Sequence, residues 1–140
     1  MCHFESKLHN HIITILLCLL LLHAKFIPTL SQYQFRKYTV RIVSHTVTAP
    51  IKVRCQSKDD DLGTRVLQFG EEFTWSFRVN VLMNTLYFCH FYLKECEKSL
   101  NVFEVFSMGY MCDDEYNWVV TELGIYKGCE GETPQLVTGW

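Results

Sequence analysis

Beyond residue 37, apolar and polar residues alternate with a period of two over much of the chain. From Phe73 to Asn80 the odd positions are Phe73, Trp75, Phe77 and Val79, and the even ones are Thr74, Ser76, Arg78 and Asn80. Successive side chains of a strand point to opposite faces, so this run predicts a strand with one buried aromatic face and one wet face. Tyr38, Val40 and Ile42 alternate with Thr39 and Arg41, and Ile51, Val53 and Cys55 alternate with Lys52 and Arg54. Thr64–Leu67, Val102–Phe106, Asn117–Thr121 and Gly124–Tyr126 are further candidate strands. Thr85–Leu93 is apolar at both parities, which places it centrally in a sheet. Turn residues separate these runs: the loop His45–Pro50, the aspartates before Gly63, and Gly70-Glu71-Glu72. Lys94–Ser99 is predicted as a polar turn, Tyr110–Tyr116 as an acidic loop, and Gly128–Trp140 as a loose tail. Short alternating strands at regular spacing predict an all-β fold, a sandwich or a barrel.

The front of the chain departs from this pattern. Ile12–Leu22 carries no charge, and His3, Lys7, His9 and His11 precede it. A weakly basic lead, a short apolar core and then small residues is the plan of a secretory signal peptide. Eleven residues at ~1.5 Å rise are too short for a hydrocarbon core of about 30 Å. A retained signal anchor, extended through His23–Leu30, is the competing reading. Thr29 and Ser31 occupy good −3 and −1 positions, and Ala24 offers a second site. The expected division is therefore a cleaved signal peptide at 1–31 and one β-sandwich domain at 32–140, with no stable membrane span after processing.

Cleavage changes the cysteine and charge balance. Cys2 and Cys18 leave, and Cys55, Cys89, Cys96, Cys112 and Cys129 remain. A small secreted domain gains much from disulfides, and neither a Cys-x-x-Cys pair nor zinc-finger spacing occurs. Five is odd, so one thiol is left free or paired with another chain. Without Lys7, Lys25 and Glu5 the net charge is near −3. Residues 32–58 hold six bases and no acid, whereas residues 93–140 hold three bases and nine acids. This polarity suits either basic strands pairing beside acidic ones or the steering of a charged partner. Arg36, Lys37, Arg41 and Arg54 lie near Tyr33, Phe35 and Tyr38, but an acidic secreted domain is a poor nucleic-acid binder.

No candidate chemistry rises to a catalytic constellation. Only His45 and His90 survive cleavage, and no nucleophile elbow or cysteine-protease signature accompanies them. A secreted hydrolase or ribonuclease using both histidines is the competing enzyme reading. Asp59-Asp60-Asp61 lacks EF-hand spacing and reads as a solvated turn in which an aspartate caps backbone N–H groups ahead of Gly63. Asp113-Asp114-Glu115 is a second acidic cluster with no metal-ligand spacing, so no metal or cofactor is expected. A carbohydrate-binding defence module is a third reading, and an exposed coplanar row of aromatics would favour it.

The block Cys55-Gln56-Ser57-Lys58-Asp59-Asp60-Asp61-Leu62-Gly63 resembles the Cys-x-Ser-Lys-Asp-Asp-Asp-Leu-Gly motif of the plant self-incompatibility protein S1 family, the S-protein homologues. The order of other features is similar too. Tyr38–Val43 resembles the first strand, Leu67–Gly70 a Leu-x-x-Gly segment, and Phe73–Phe77 the aromatic strand. Phe88, Cys89 and Phe91 match a Phe-Cys-x-Phe strand, Phe103–Phe106 a later one, and Cys112, Trp118 and Gly124 the final block. The likeness covers roughly residues 38–129. It departs at Leu93, where the family often has Trp, at Tyr116, where a cysteine is common, and at the extra Cys96. The resemblance implies a disulfide framework of Cys55, Cys89, Cys112 and Cys129 with Cys96 free; three connectivities stay open. It also implies a small antiparallel β-sandwich braced by disulfides and acting as a secreted, non-enzymatic plant ligand, since some members are female determinants that signal to a pollen membrane receptor. Expected here are a monomer and an unidentified cell-surface receptor or membrane protein as partner. Recognition would use loops at Ser44–Ala49, Lys94–Ser99 and Tyr110–Tyr116, above all Asp113, Asp114 and Glu115.

Overall fold

The computed structural model describes residues 11–21, 36–80, 82–105 and 112–140. The chain forms two compact units, residues 1–35 and 36–140. In the first, residues 11–21 are helical and their isoleucine and leucine side chains are exposed. Among the described residues no helix is long and apolar enough to cross a membrane. The expected cleavage positions 29–31, and residues 106–111 at the start of the expected acidic loop, lie outside the described residues.

The second unit contains β1 (Lys37–Ser44), β2 (Ile51–Gln56), β3 (Asp61–Leu67), β4 (Glu72–Arg78), β5 (Leu86–Leu93), β6 (Cys96–Glu104), β7 (Glu115–Val120), β8 (Gly124–Cys129) and β9 (Gln135–Gly139). One sheet has the order β4-β1-β7-β8-β9 and the other β3-β2-β5-β6. The chain crosses between sheets after β1, β3, β4 and β6, and it forms hairpins within a sheet at β2–β3, β5–β6 and along β7–β8–β9. All pairs are antiparallel except β1–β7, which run parallel from Thr39↔Glu115 to Ser44↔Val120. No tight turn links these two strands, so nothing imposes a hairpin's antiparallel sense on them.

The inward positions of both sheets meet in one core. Tyr38, Val40 and Ile42 of β1, Ile51, Val53 and Cys55 of β2, and Tyr87, Cys89, Phe91 and Leu93 of β5 are buried, as the alternation predicts. Tyr38, Phe77, Tyr87, Phe103 and Tyr116 form a continuous aromatic cluster across the two sheets, with ring centroids 4.5–5.2 Å apart for Phe77–Tyr87, Phe77–Phe103, Phe103–Tyr116 and Tyr38–Phe103. Such pairs add about 0.5–1.5 kcal/mol each beyond their area burial. The buried Trp118 indole donates to the Val102 carbonyl at 3.1 Å and ties β7 to the facing sheet.

Two expected segments differ in the structure. Lys94–Ser99 is not a polar turn; the turn is Lys94-Glu95 alone, and β6 begins at Cys96, paired with Leu93. Two-residue hairpins of the favoured types need φ > 0 at their first central residue, and Lys94 has φ 54°. Charges hid this strand because β6 is a sheet edge, where Glu97, Ser99 and Asn101 face solvent and polar residues discourage further pairing. Nor is Gly128–Trp140 a loose tail. β8 runs on to Cys129, and Gln135–Gly139 returns as β9, the far edge of the larger sheet. The β8–β9 pairing needs a glycine at Gly124, the first residue of β8. A Cβ on Gly124 would collide with the Thr138 carbonyl oxygen and lie 3.0 Å from the Gly139 Cα.

Two disulfides brace the sandwich. Cys55 and Cys89 face each other across β2 and β5, with Cα atoms 4.1 Å apart and both residues fully buried. Cys112, just before β7, is bonded to Cys129 at the end of β8. Cys96 is free and exposed.

Two outcomes follow from these constraints. Cys55→Ser should lower stability by about 2–4 kcal/mol, and Cys112→Ser by a similar amount, whereas Cys96→Ser should leave the denaturant midpoint unchanged. Non-reducing peptide mapping checks the pairing, and Cys96 in a bridge would contradict it. Gly124→Ala should cost roughly 1–3 kcal/mol by forcing β9 away from β8, visible as faster amide exchange confined first to residues 135–139.

Candidate functional site

The registers send the motif turn, the β4–β5 connection, the lead into β7 and the β8–β9 turn to one end of the sandwich. There Asp113, Asp114, Glu115, Glu130 and Glu132 surround the Cys112–Cys129 bridge and line a concavity of about 400 Å³. Asp113 and Asp114 precede β7, and Glu115 is already its first residue. Backbone contacts hold this lead in place: the Thr39 N–H donates to the Asp114 carbonyl at 2.8 Å, and Arg36 donates to the Asp113 carbonyl at 3.2 Å. The Arg36 guanidinium also lies 3.2 Å from the Asp114 carboxylate and 3.8 Å from that of Asp113. The Asp113 side chain is fully exposed and that of Asp114 is 65% exposed, so both carboxylates remain available to a partner. Glu130 and Glu132 escaped the sequence reading. The antiparallel pairing of Tyr116 with Cys129 and the bond from Cys112 to Cys129 bring them beside residues 113–115.

The motif Ser57–Gly63 is divided by the structure. Ser57–Asp60 is the turn, and Asp61, Leu62 and Gly63 already belong to β3. Ser57 Oγ accepts the N–H groups of Asp59 (3.3 Å) and Asp60 (3.0 Å), and the Ser57 N–H donates to the Asp60 carbonyl at 2.7 Å. Asp61 accepts from Arg54 at 2.7 Å and from the Gly63 N–H at 2.9 Å. The Arg54 hydrogen bond, followed by that of Gly63, holds the Asp61 carboxyl below its ordinary range. Gly63 has φ 75°, a left-handed conformation in which glycine alone carries no steric cost. Leu62 packs against the core. The three aspartates thus have different jobs: Asp61 binds Arg54, Asp60 accepts from the Tyr87 hydroxyl at 3.4 Å, and Asp59 faces solvent.

The two histidines are not brought together. His45 follows β1 at the opposite end of the sandwich, its ring 5.9 Å from that of Phe69. His90 lies mid-β5 in the other sheet and faces outward, with Nδ1 3.2 Å from a Glu97 carboxylate oxygen. The loop Ser44–Ala49 is rigidly tied. Buried Ser44 and Thr46 share a hydrogen bond of 3.1 Å, and Thr46 donates to the Ala49 carbonyl at 2.7 Å. Glu122, from the β7–β8 turn, accepts the N–H groups of Val47 and Thr48. Those donors, Thr48 foremost and with the residue's own N–H contributing, hold the Glu122 carboxyl below its ordinary range.

A depressed carboxyl pKa contributes stability that is present above the unfolded value, about 4.3. That contribution is lost as pH falls through the folded value. Glu122→Ala should therefore lower Tm at pH 7 and show a smaller further drop than wild type between pH 4.3 and acid. Parallel melting curves across that range check it, and identical acid profiles would contradict the clamp.

Comparison with known proteins fits this architecture. The family model described as plant self-incompatibility protein S1 matches residues 39–140. S-protein homolog 24 of Arabidopsis thaliana is 40% identical over 77 residues, covering 53% of this chain and 49% of that protein. S-protein homolog 6 of the same plant is 36% identical over 84 residues, covering 59% of this chain and 60% of that one. The chain thus spans about half the length of the curated relatives it matches. Among solved structures, one of the self-incompatibility protein homologues, described as small, highly stable, secreted plant proteins, superposes with a TM-score of 0.60 at 16% identity. That match covers 75% of this chain and 95% of the other. With nine strands among the described residues, its motif turn and a family match over residues 39–140, the chain belongs to the plant self-incompatibility protein S1 family, as an S-protein homologue.

Proposed function

We propose that this secreted S-protein homologue is a non-enzymatic signalling ligand that engages a basic patch on a cell-surface receptor through its acidic end. The supporting observation is the convergence of five carboxylates around the Cys112–Cys129 bridge, with Arg36 as the neighbouring countercharge. Exposed charges on a rigid support change a partner's approach rate and selectivity without disturbing the core. The disulfide limits the conformational freedom that binding would otherwise have to remove. In this reading residues 1–31 are the leader that is removed on export, and the recognised molecule is the folded domain alone.

The triple substitution Asp113→Lys, Asp114→Lys, Glu115→Lys tests the proposal. Solvated surface changes stay within about 0.5 kcal/mol each, so the variant should fold and melt much like wild type. Wild-type binding to solubilised plant plasma-membrane protein should weaken between 10 and 100 mM salt, as the Debye length falls from about 30 to 10 Å. The variant should lose that binding at both. Equal binding by variant and wild type at low salt would refute the acidic end as the recognition surface. RNA or glycan turnover that disappears in a His45→Gln, His90→Gln double variant would refute the non-enzymatic reading.

A further inference from the structure

A second concavity, of about 410 Å³, opens at the same end between the motif turn and the connection from β4 to β5. This falls within the range of small-ligand sites, about 300–1,000 Å³. Lys58, Asp59 and Asp60 form one wall, and Arg78, Asn80, Asn84 and Thr85 form the other. Leu86, Phe88 and the buried Tyr87 line the floor.

The wall opposite the motif is preorganised. Asn80 brackets the loop with its side chain: its Oδ1 accepts the Asn84 N–H at 3.0 Å, and its Nδ2 donates to the Asn84 Oδ1. The Asn80 N–H donates to the Thr85 hydroxyl at 2.9 Å, and the Met83 N–H donates to the Asn80 carbonyl at 3.0 Å. Met83 has φ 55°, uncommon for a residue with a Cβ, while its side chain packs on the core. The motif wall is fixed by the Ser57 bonds described above.

The cleft continues into an aromatic stripe. From Phe88, which lines the cleft, His90 and Tyr92 follow at every second residue along the outer face of β5. The ring centroids are 6.0 Å apart for Phe88–His90, which meet edge-on at 70°, and 6.4 Å for His90–Tyr92, which are inclined by only 18° and form the flat part of the stripe. The outer face of an antiparallel sheet is ordinarily wet and polar, so three half-buried rings in line there are not explained by the core. Charged groups border the stripe: Arg54 paired with Asp61, Glu97 beside His90, and the Lys52 ammonium 4.6 Å from the Tyr92 ring centre.

The geometry points to a neutral oligosaccharide as the occupant, seated in the cleft and laid along Phe88, His90 and Tyr92. The cleft holds two cations and two carboxylates, so it favours no net charge on its ligand. A nucleic acid or polyphosphate would want the cations without the acids. Sugar hydroxyls donate and accept at once, which matches carboxylates, amides and cations set side by side. The C–H faces of pyranose rings are apolar and fit against aromatic side chains. Nothing in this inference depends on the acidic end around Cys112–Cys129.

Affinity electrophoresis of the secreted protein through gels carrying xyloglucan, hydroxyethylcellulose or polygalacturonate tests it, together with cellohexaose titration followed by amide shifts. A neutral polysaccharide should retard the protein, with shifts in residues 57–60, 78–88 and 90–92. Phe88→Ala and Asp59→Ala should each weaken binding roughly tenfold, the scale of one lost contact of about 1.4 kcal/mol. Asp59 is exposed, so its variant keeps the test valid if Phe88→Ala fails to fold. The Asp113, Asp114, Glu115 triple variant should bind glycan as wild type does, which separates this outcome from the receptor reading. Retardation by polygalacturonate alone, no response to any neutral glycan at millimolar concentration, or neutral binding untouched by Asp59→Ala would each overturn the assignment.

Discussion

The structure depends on the aromatic cluster that Tyr38, Phe77, Tyr87, Phe103 and Tyr116 build between the sheets. These rings come from β1, β4, β5, β6 and β7, so both sheets contribute and neither can slide without breaking the contact. A slip of one residue in any of these strands would turn its rings to water and bring polar neighbours inside. Burial therefore fixes the register, and the register fixes which side chains are left outside. The outward set, including the stripe Phe88, His90 and Tyr92, is available for other work because the inward set already satisfies the fold.

The connections between sheets then sort the loops into two ends. One carries the loop 45–50, the β3–β4 turn and the β7–β8 turn, locked by Thr46, Glu122 and Trp140, whose indole donates to the Thr121 carbonyl. The other carries the motif turn, the Asn80 loop and the acidic residues about Cys112–Cys129. Apolar tips are exposed at the first end, with Val47, Phe69 and Leu123 each more than 60% exposed, beside the charged Lys94, Glu95 and Glu122. Charges dominate the second. The net charge of −2 conceals this separation because a sum over the chain has no direction.

The Ser-Lys-Asp-Asp-Asp-Leu-Gly motif acquires a physical meaning here. Ser57 closes the turn, Asp61 joins Arg54 of the preceding strand to the backbone of Gly63, Leu62 anchors to the core, and Gly63 supplies a left-handed φ. Those four residues build the turn. Lys58, Asp59 and Asp60, whose side chains that construction does not use, line the second cleft. A motif that looks uniformly acidic thus mixes scaffold with display.

The sequence by itself determined the strands whose faces differ strongly, because a half-buried strand writes its burial into a period of two. β1, β2 and β4 were legible for that reason, β5 by a run that is apolar at both parities, and with them the all-β class. It also placed the motif turn, since Ser, Asp and Gly act on backbone groups two or three residues away. β6 was legible only in its second half, from Val102, and β9 not at all: charged, polar and glycine residues weaken the period there, whereas β4, also a sheet edge, keeps its aromatic alternation. The parallel pairing of β1 with β7, the choice among three disulfide connectivities, and the meeting of Glu130 and Glu132 with Asp113 were decided by tertiary structure alone. Each joins residues far apart in the chain. Local alternation records only which way a side chain faces, and carries no term for what it will face.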